Sequence, residues 1–193
     1  MRNWKLTGRQ AINSTPRLKV YNDTLEMEGE TPRMYDHFSV PDGIMIVPIK
    51  VVDNQVSFIF VEQYRYPIKE LQLEFPGGAI DGAEEPAKAA ARELEEETGY
   101  KAKGMKFIHL MYPMAGQTDT KMSIFMAVVD GEPKQLKLDE DEKNCEFKVI
   151  EKSSDEVLEM VRKNEFTDSR TLAALCVALL QNNKAKEFLT WLN

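Results

Sequence analysis

The residues best suited to chemistry crowd into one stretch. Glu93, Glu96 and Glu97 fall at i, i+3 and i+4 of a segment patterned as a helix, so the three carboxylates share one face. Like charges at that spacing repel and destabilise a bare helix. Arg92 and Lys88 can supply part of the counter-charge. A hard divalent cation, which prefers oxygen ligands, supplies it better. Just upstream, Gly77-Gly78 lets the backbone come close to a ligand, and a carbonyl there would add one more oxygen for the same ion. The plainer reading is a solvated acidic helix face. The glycine-rich entry favours the cation.

The surrounding elements have to hold that helix. Pro86 suits a first helical position and Gly99 a C-terminal cap, so the helix is predicted over 86–98. Ala87, Ala90, Ala91 and Leu94 are expected on its buried face. Residues 71–75 read as a short strand that Pro76-Gly77-Gly78 breaks. Residues 44–52 and 56–61 read as two strands buried on both faces and joined by a tight turn at Asp53-Asn54. Further strands are expected over 107–112, 122–129 and 146–150, with an acidic loop over 139–144. Helices are expected over 154–163 and 168–182, capped by Ser154 and Asp168. Before Pro41-Asp42-Gly43, the chain alternates in short stretches, 17–21, 24–27 and 34–40, with turns at Asn22-Asp23 and Glu28-Gly29-Glu30. The order predicts an α/β fold, a mixed sheet with helices packed on it. An antiparallel β-strand subdomain over 1–42 would precede the main domain, 43–193.

Gly78, Glu84 and Arg92-Glu93-Leu94-Glu95-Glu96-Glu97-Thr98-Gly99-Tyr100 together resemble the Nudix box, Gly-x5-Glu-x7-Arg-Glu-U-x-Glu-Glu-x-Gly-U, where U is a bulky aliphatic residue. Eight of the nine defined positions match; Tyr100 is aromatic where the family carries an aliphatic residue. The resemblance implies an α/β/α sandwich around a mixed sheet and a hydrolase of nucleoside diphosphates linked to another group. It implies Mg²⁺, or Mn²⁺, held by Glu93, Glu97 and the Gly77 carbonyl. Glu96 would be a further ligand or hold the water. Glu84 and Arg92 would brace the motif, with Gly78 and Gly99 as its structural glycines. Glu62-Gln63-Tyr64-Arg65-Tyr66 and Leu73-Glu74-Phe75-Pro76-Gly77-Gly78 are similar to the ADP-ribose pyrophosphatase branch. That branch implies a homodimer built with the N-terminal strands, a nucleotide-sugar substrate contacted through Arg65, Glu74 and Gly116, and a catalytic glutamate from a later loop, Glu140 or Glu142. One departure stands out: the branch's Ser-Pro-Gly is replaced by Met114-Ala115-Gly116, which admits other nucleoside diphosphate sugars. Dinucleoside polyphosphates, nucleoside triphosphates, capped RNA and a non-catalytic nucleotide-sugar sensor are the alternatives.

Composition narrows the partners. The 193 residues carry a net charge of -7, the wrong sign for a protein that holds nucleic acid by its backbone charge. No stable nucleic-acid binding and no membrane partner are expected, since no apolar run approaches a membrane span. Cys145 and Cys176 form no metal-ligand pair, and residues 1–10 lack a signal-peptide pattern. A cytoplasmic location is therefore expected. His37 and His109 lack a metal-ligand partner at helical or hairpin spacing, and His109 is read as structural; Trp4 and Tyr21 could stack on a base, but packing or dimer contact is favoured.

Overall fold

The computed structural model describes residues 4–138, 140–143 and 146–181. Two compact units are present. The smaller comprises 1–42 together with 112–122, and the larger comprises 43–111 and 123–193.

The smaller unit is a three-stranded antiparallel sheet of β1 (Lys5–Ser14), β2 (Lys19–Glu26) and β3 (Arg33–Ser39), in that order. Two expectations are corrected here. β1 lies outside the expected alternating stretches, and β2 runs unbroken through Asn22 and Asp23, where the sequence predicts a turn. Asp23 stays in the strand because its carboxylate is only 5% exposed and paired. Arg9 meets it in a two-pronged ion pair at 2.8 and 2.7 Å, and His37 Nε2 lies 2.9 Å away. A buried, doubly paired carboxylate removes the usual preference of Asp for turns.

The larger unit is built on a six-stranded sheet. Its strands are β4 (Gly43–Val52), β5 (Gln55–Arg65), β6 (Glu70–Glu74), β7 (Ala102–Met111), β8 (Met122–Val129) and β9 (Phe147–Ser153). β4 and β5 join through Asp53 and Asn54, both at positive φ (49° and 63°), the backbone a tight hairpin turn demands. β9 pairs with residues 57–63 of β5, while β4 and β6 pair with its two ends. Residues 57 and 58 thus serve both β4 and β9, which puts β4 and β6 along one edge of β5 and β9 along the other.

Alternation along the strands splits the core into two layers. Ile44, Ile46 and Ile59 meet α1 (Pro86–Thr98) through Ala89, Ala90 and Leu94. Phe58 and Phe60 point the other way, to Phe75 and Phe166, with Phe60 and Phe75 stacked at 4.5 Å. On that side lie α3 (Ser154–Arg162), against β5, and α4 (Ser169–Gln181), against β4. Helices on both faces explain why residues 43–49 of β4 are all buried. The fold is thus the expected α/β arrangement of a mixed sheet between helices.

Three local expectations are corrected. The buried stripe of α1 uses Ala89 and Ala90 with Leu94, whereas Ala87 and Ala91 are exposed. The helix is therefore rotated, and Glu97 shares its buried side. Ser153, not Ser154, caps α3, through a capping box with Glu156. Within the segment read as an acidic loop lies a short helix, α2 (Glu140–Lys143).

Candidate functional site

The site is assembled around α1. Gly99 ends the helix at φ 72°, and its N–H donates to the Glu95 carbonyl. This left-handed cap lets the chain turn away sharply, and a side chain there would strike the Lys134 carbonyl. The Lys134 N–H donates to the Gly99 carbonyl and the Lys137 N–H to the Glu96 carbonyl, both at 2.9 Å. The segment leading into α2 is thereby tied to the last turn of the carboxylate helix.

At the front of α1 runs the loop 76–78. It continues β6 alongside the start of β4: Ile46 N–H donates to the Pro76 carbonyl and Ile44 N–H to the Gly78 carbonyl, each at 2.9 Å. Gly77 is required by backbone contact, whereas a side chain at Gly78 would displace the Glu93 carboxylate. A Cβ on Gly77 would strike the Ile44 carbonyl, and one on Gly78 would strike the Glu93 carboxylate. The Gly77 N–H donates to Glu97 Oε2 at 2.9 Å. Glu97 is 2% exposed, an expensive place for a carboxylate unless charge-assisted bonds compensate it.

Arg92 organises the remaining acids. Its Nε and Nη2 donate to the two Glu84 oxygens at 3.3 and 3.1 Å. Its Nη1 donates to Glu93 Oε1 at 2.8 Å and Glu96 Oε2 at 3.1 Å. The guanidinium pKa is raised, foremost by the bond to Glu84, and the Glu84 carboxyl is correspondingly lowered by Arg92. Lys88, expected to share in this neutralisation, instead reaches Glu85 at 3.9 Å.

The donors fit a hard divalent cation in kind: three helix carboxylates and a loop that lies against two of them. As placed, Glu93 and Glu96 are drawn to Arg92 and Glu97 to the Gly77 N–H. Among the described residues, no three His, Cys, Asp or Glu side chains are grouped as a ready-made ion cage.

A second cluster adjoins the box. Arg65 closes a two-pronged pair on the buried Glu74, with Nε to Oε1 and Nη2 to Oε2 both at 2.7 Å. Its pKa is raised by that bond first, and the charges of Glu97 and Asp168 add to the effect. Arg65 and Glu74 line an open groove of about 440 Å³ together with Ile68, Gln72, Thr167 and Arg170. Arg170 and Thr171 were not singled out in the sequence. Their signal was the Asp168 cap, since Asp168 Oδ2 accepts from the Thr171 N–H at 2.9 Å and Oδ1 from Arg170 Nε at 2.9 Å.

The other expected site residues are placed less closely. Gly116 belongs to the smaller unit, where its carbonyl accepts from the Tyr35 hydroxyl at 2.7 Å. Glu140 opens α2 and is exposed, while the Glu142 side chain lies outside the described residues. His37 is held by Asp23 and stacks on Tyr21 at 5.3 Å.

Residues 42–175, more than half of the chain, match the NUDIX domain. An ADP-ribose pyrophosphatase of Bacillus subtilis (strain 168) is 28% identical over 172 residues, covering 89% of this chain and 90% of that protein. A methanol dehydrogenase activator of Bacillus methanolicus is 32% identical over 136 residues, 70% of this chain and 72% of the relative. The ADP compounds hydrolase NudE of Escherichia coli (strain K12) is 28% identical over 153 residues, 78% of each chain. A crystal structure of an ADP compounds hydrolase superposes with a TM-score of 0.78 at 23% identity, covering 100% of this chain and 97% of the other. That likeness shows the fold.

Proposed function

The chain belongs to the NUDIX domain family, and from that premise we propose that it is a metal-dependent pyrophosphohydrolase of ADP-ribose or a related nucleoside diphosphate sugar. Water would attack phosphorus and yield a nucleoside monophosphate and a sugar phosphate. The observation that carries the reading is the joining of two clusters through one strand and its loop: Glu74 of β6 pairs with Arg65, and three residues later Gly77 binds Glu97. An arginine and a carboxylate set held on one rigid segment suit a diphosphate, whose oxygens need both a guanidinium and a cation.

Each residue then has a task. Glu93, Glu96, Glu97 and the Gly77 carbonyl would hold Mg²⁺ or Mn²⁺. When bound, the ion would withdraw charge from the phosphate oxygens and acidify the attacking water. Arg92 and Glu84 keep the carboxylates from splaying apart. Arg65 would grip a phosphate oxygen and Glu74 would fix its orientation. Glu140 or Glu142 would take the proton from water, as Glu96 also could. The relatives named for ADP-ribose and ADP compounds support an adenine nucleotide as first substrate. The N-terminal unit is read as a dimerisation subdomain of a homodimer. No described helix is long and apolar enough to cross a membrane, and a cytoplasmic location agrees with the cysteine usage.

The test is turnover of ADP-ribose, other nucleotide sugars, dinucleoside polyphosphates and triphosphates in Mg²⁺, with products identified by mass. We expect monophosphate plus sugar phosphate, with kcat reduced by about a hundredfold or more in Glu97→Gln, at or beyond the upper end of losses seen for metal-site second-shell changes. Preference for triphosphates would refute the substrate class, and undiminished turnover in Glu97→Gln would refute the metal site.

A further inference from the structure

Arg65 does not hold Glu74 alone. Arg170 Nη2 donates to Glu74 Oε2 at 2.8 Å, the same oxygen that accepts from Arg65 Nη2. Glu74 is 2% exposed. A buried carboxylate facing a single arginine would draw wholly on that arginine, whereas here Arg65 and Arg170 together balance Glu74 and Asp168, so Arg65 is not the sole counter-charge of Glu74. Arg170 is itself anchored. Its Nε donates to Asp168, whose other oxygen is held by the N–H and the hydroxyl of Thr171 at 2.9 and 2.8 Å. Burial works against the Asp168 charge, but Arg170 and these hydrogen bonds more than offset it, and its pKa lies below the ordinary value.

The same turn grips β6 and the residue that follows it at two further points. The Phe75 N–H donates to Thr171 Oγ1 at 3.2 Å, and the Thr167 hydroxyl donates to Gln72 Oε1 at 2.7 Å. Thr171 is fully buried. Neither Arg65 nor Arg170 uses Nη1 in a hydrogen bond to the described residues, and both line the groove.

We propose that Arg170 is a positioning residue for Arg65. By sharing Glu74, it relieves Arg65 of being that carboxylate's sole counter-charge and fixes it with its Nη1 edge open to grip a diphosphate. Asp168 and Thr171 clamp this arrangement onto β6. The inference rests on the reading of Arg65 as a phosphate-binding group.

The test is a double-mutant cycle read by binding. Inorganic pyrophosphate is titrated calorimetrically in Mg²⁺ into the whole chain as wild type, Arg65→Met, Arg170→Met, the double variant and Arg170→Lys. The melting temperature of each is recorded. Arg170→Met is expected to weaken pyrophosphate by about tenfold, the scale of one charge-assisted hydrogen bond. In the Arg65→Met background it should weaken binding no further, because the two residues act as one unit. Lysine, which keeps a cation beside Glu74, should restore most of the loss. If Arg170→Met does not fold, Asp168→Asn takes its place, with the same dependence on Arg65 expected. Unchanged affinity in Arg170→Met, additive losses in the double variant, or no pyrophosphate binding by the wild type would each overturn the proposal. The expected pattern in a protein that hydrolyses no nucleotide sugar would refute the substrate reading alone. Turnover of nucleotide sugars with a KM indifferent to Arg170→Met would refute the clamp alone.

Discussion

Single side chains in this protein are stabilised mainly by sharing. Arg92 serves Glu84, Glu93 and Glu96, and a lysine could not replace it, because a point charge cannot address three carboxylates from a planar fork. Asp23 shows the converse, one carboxylate serving Arg9 and His37. The Arg9 hydrogen bond, aided by His37, lowers its pKa from 3.8 to about 2. The sign of the pH effect follows. Between those values the unfolded chain binds the proton more readily than the folded one, so stability rises with pH in this window. The contribution is complete above 3.8 and is lost as pH falls towards about 2. Acid unfolding of the three-stranded sheet, followed residue by residue by NMR, should therefore steepen below pH 3.8 in the wild type. Asp23→Asn should lack that component. Identical acid profiles for the two proteins would show that the pair contributes nothing.

At the scale of elements, α1 depends on how it stops. Gly99 sits at φ 72° with the Lys134 carbonyl where a side chain would begin. Gly99→Ala meets two penalties. The left-handed backbone costs about 1–2 kcal/mol for a residue with a Cβ, and the Lys134 backbone must move. We expect a loss of at least about 2 kcal/mol in denaturant unfolding. An effect smaller than that of an exposed mid-helix substitution would contradict this account. The cap was legible in the sequence because Pro86 and Gly99 bracket the helix with residues of fixed conformational meaning. The β4–β5 hairpin was legible for the same reason, through Asp53-Asn54. What escaped was whatever depends on a distant partner. β2 was cut at Asp23 because nothing local reveals Arg9 fourteen residues away. The stripe of α1 was misplaced because four alanines near one another define no single face. Arg170 gives no local signal because Glu74 is remote in sequence and the two meet only when the first turn of α4 reaches the end of β6.

For the whole molecule, the box carboxylates set up a linkage between folding and metal. Three of them share one guanidinium in a chain of net charge -7, so part of the folded state's repulsion is left for a cation to relieve. The unfolded chain scatters these groups and binds the ion weakly. An ion bound by the folded form alone stabilises it by RT ln(1 + [L]/Kd), about 2.7 kcal/mol at a hundred times Kd. For a chain of this size each kcal/mol moves the melting temperature by about 2–4 °C, so saturating Mg²⁺ should raise Tm by about 5–11 °C, and chelation should reverse the shift. Glu93→Gln and Glu97→Gln should each remove most of the increment. Because they also relieve repulsion, the variants need not melt lower than the wild type without metal. The ion-dependent increment is the decisive quantity, since it is independent of turnover. A wild-type Tm that ignores both Mg²⁺ and Mn²⁺ at millimolar concentration would mean that Arg92 and the Gly77 N–H already satisfy these carboxylates, and that any ion used in catalysis arrives with the substrate.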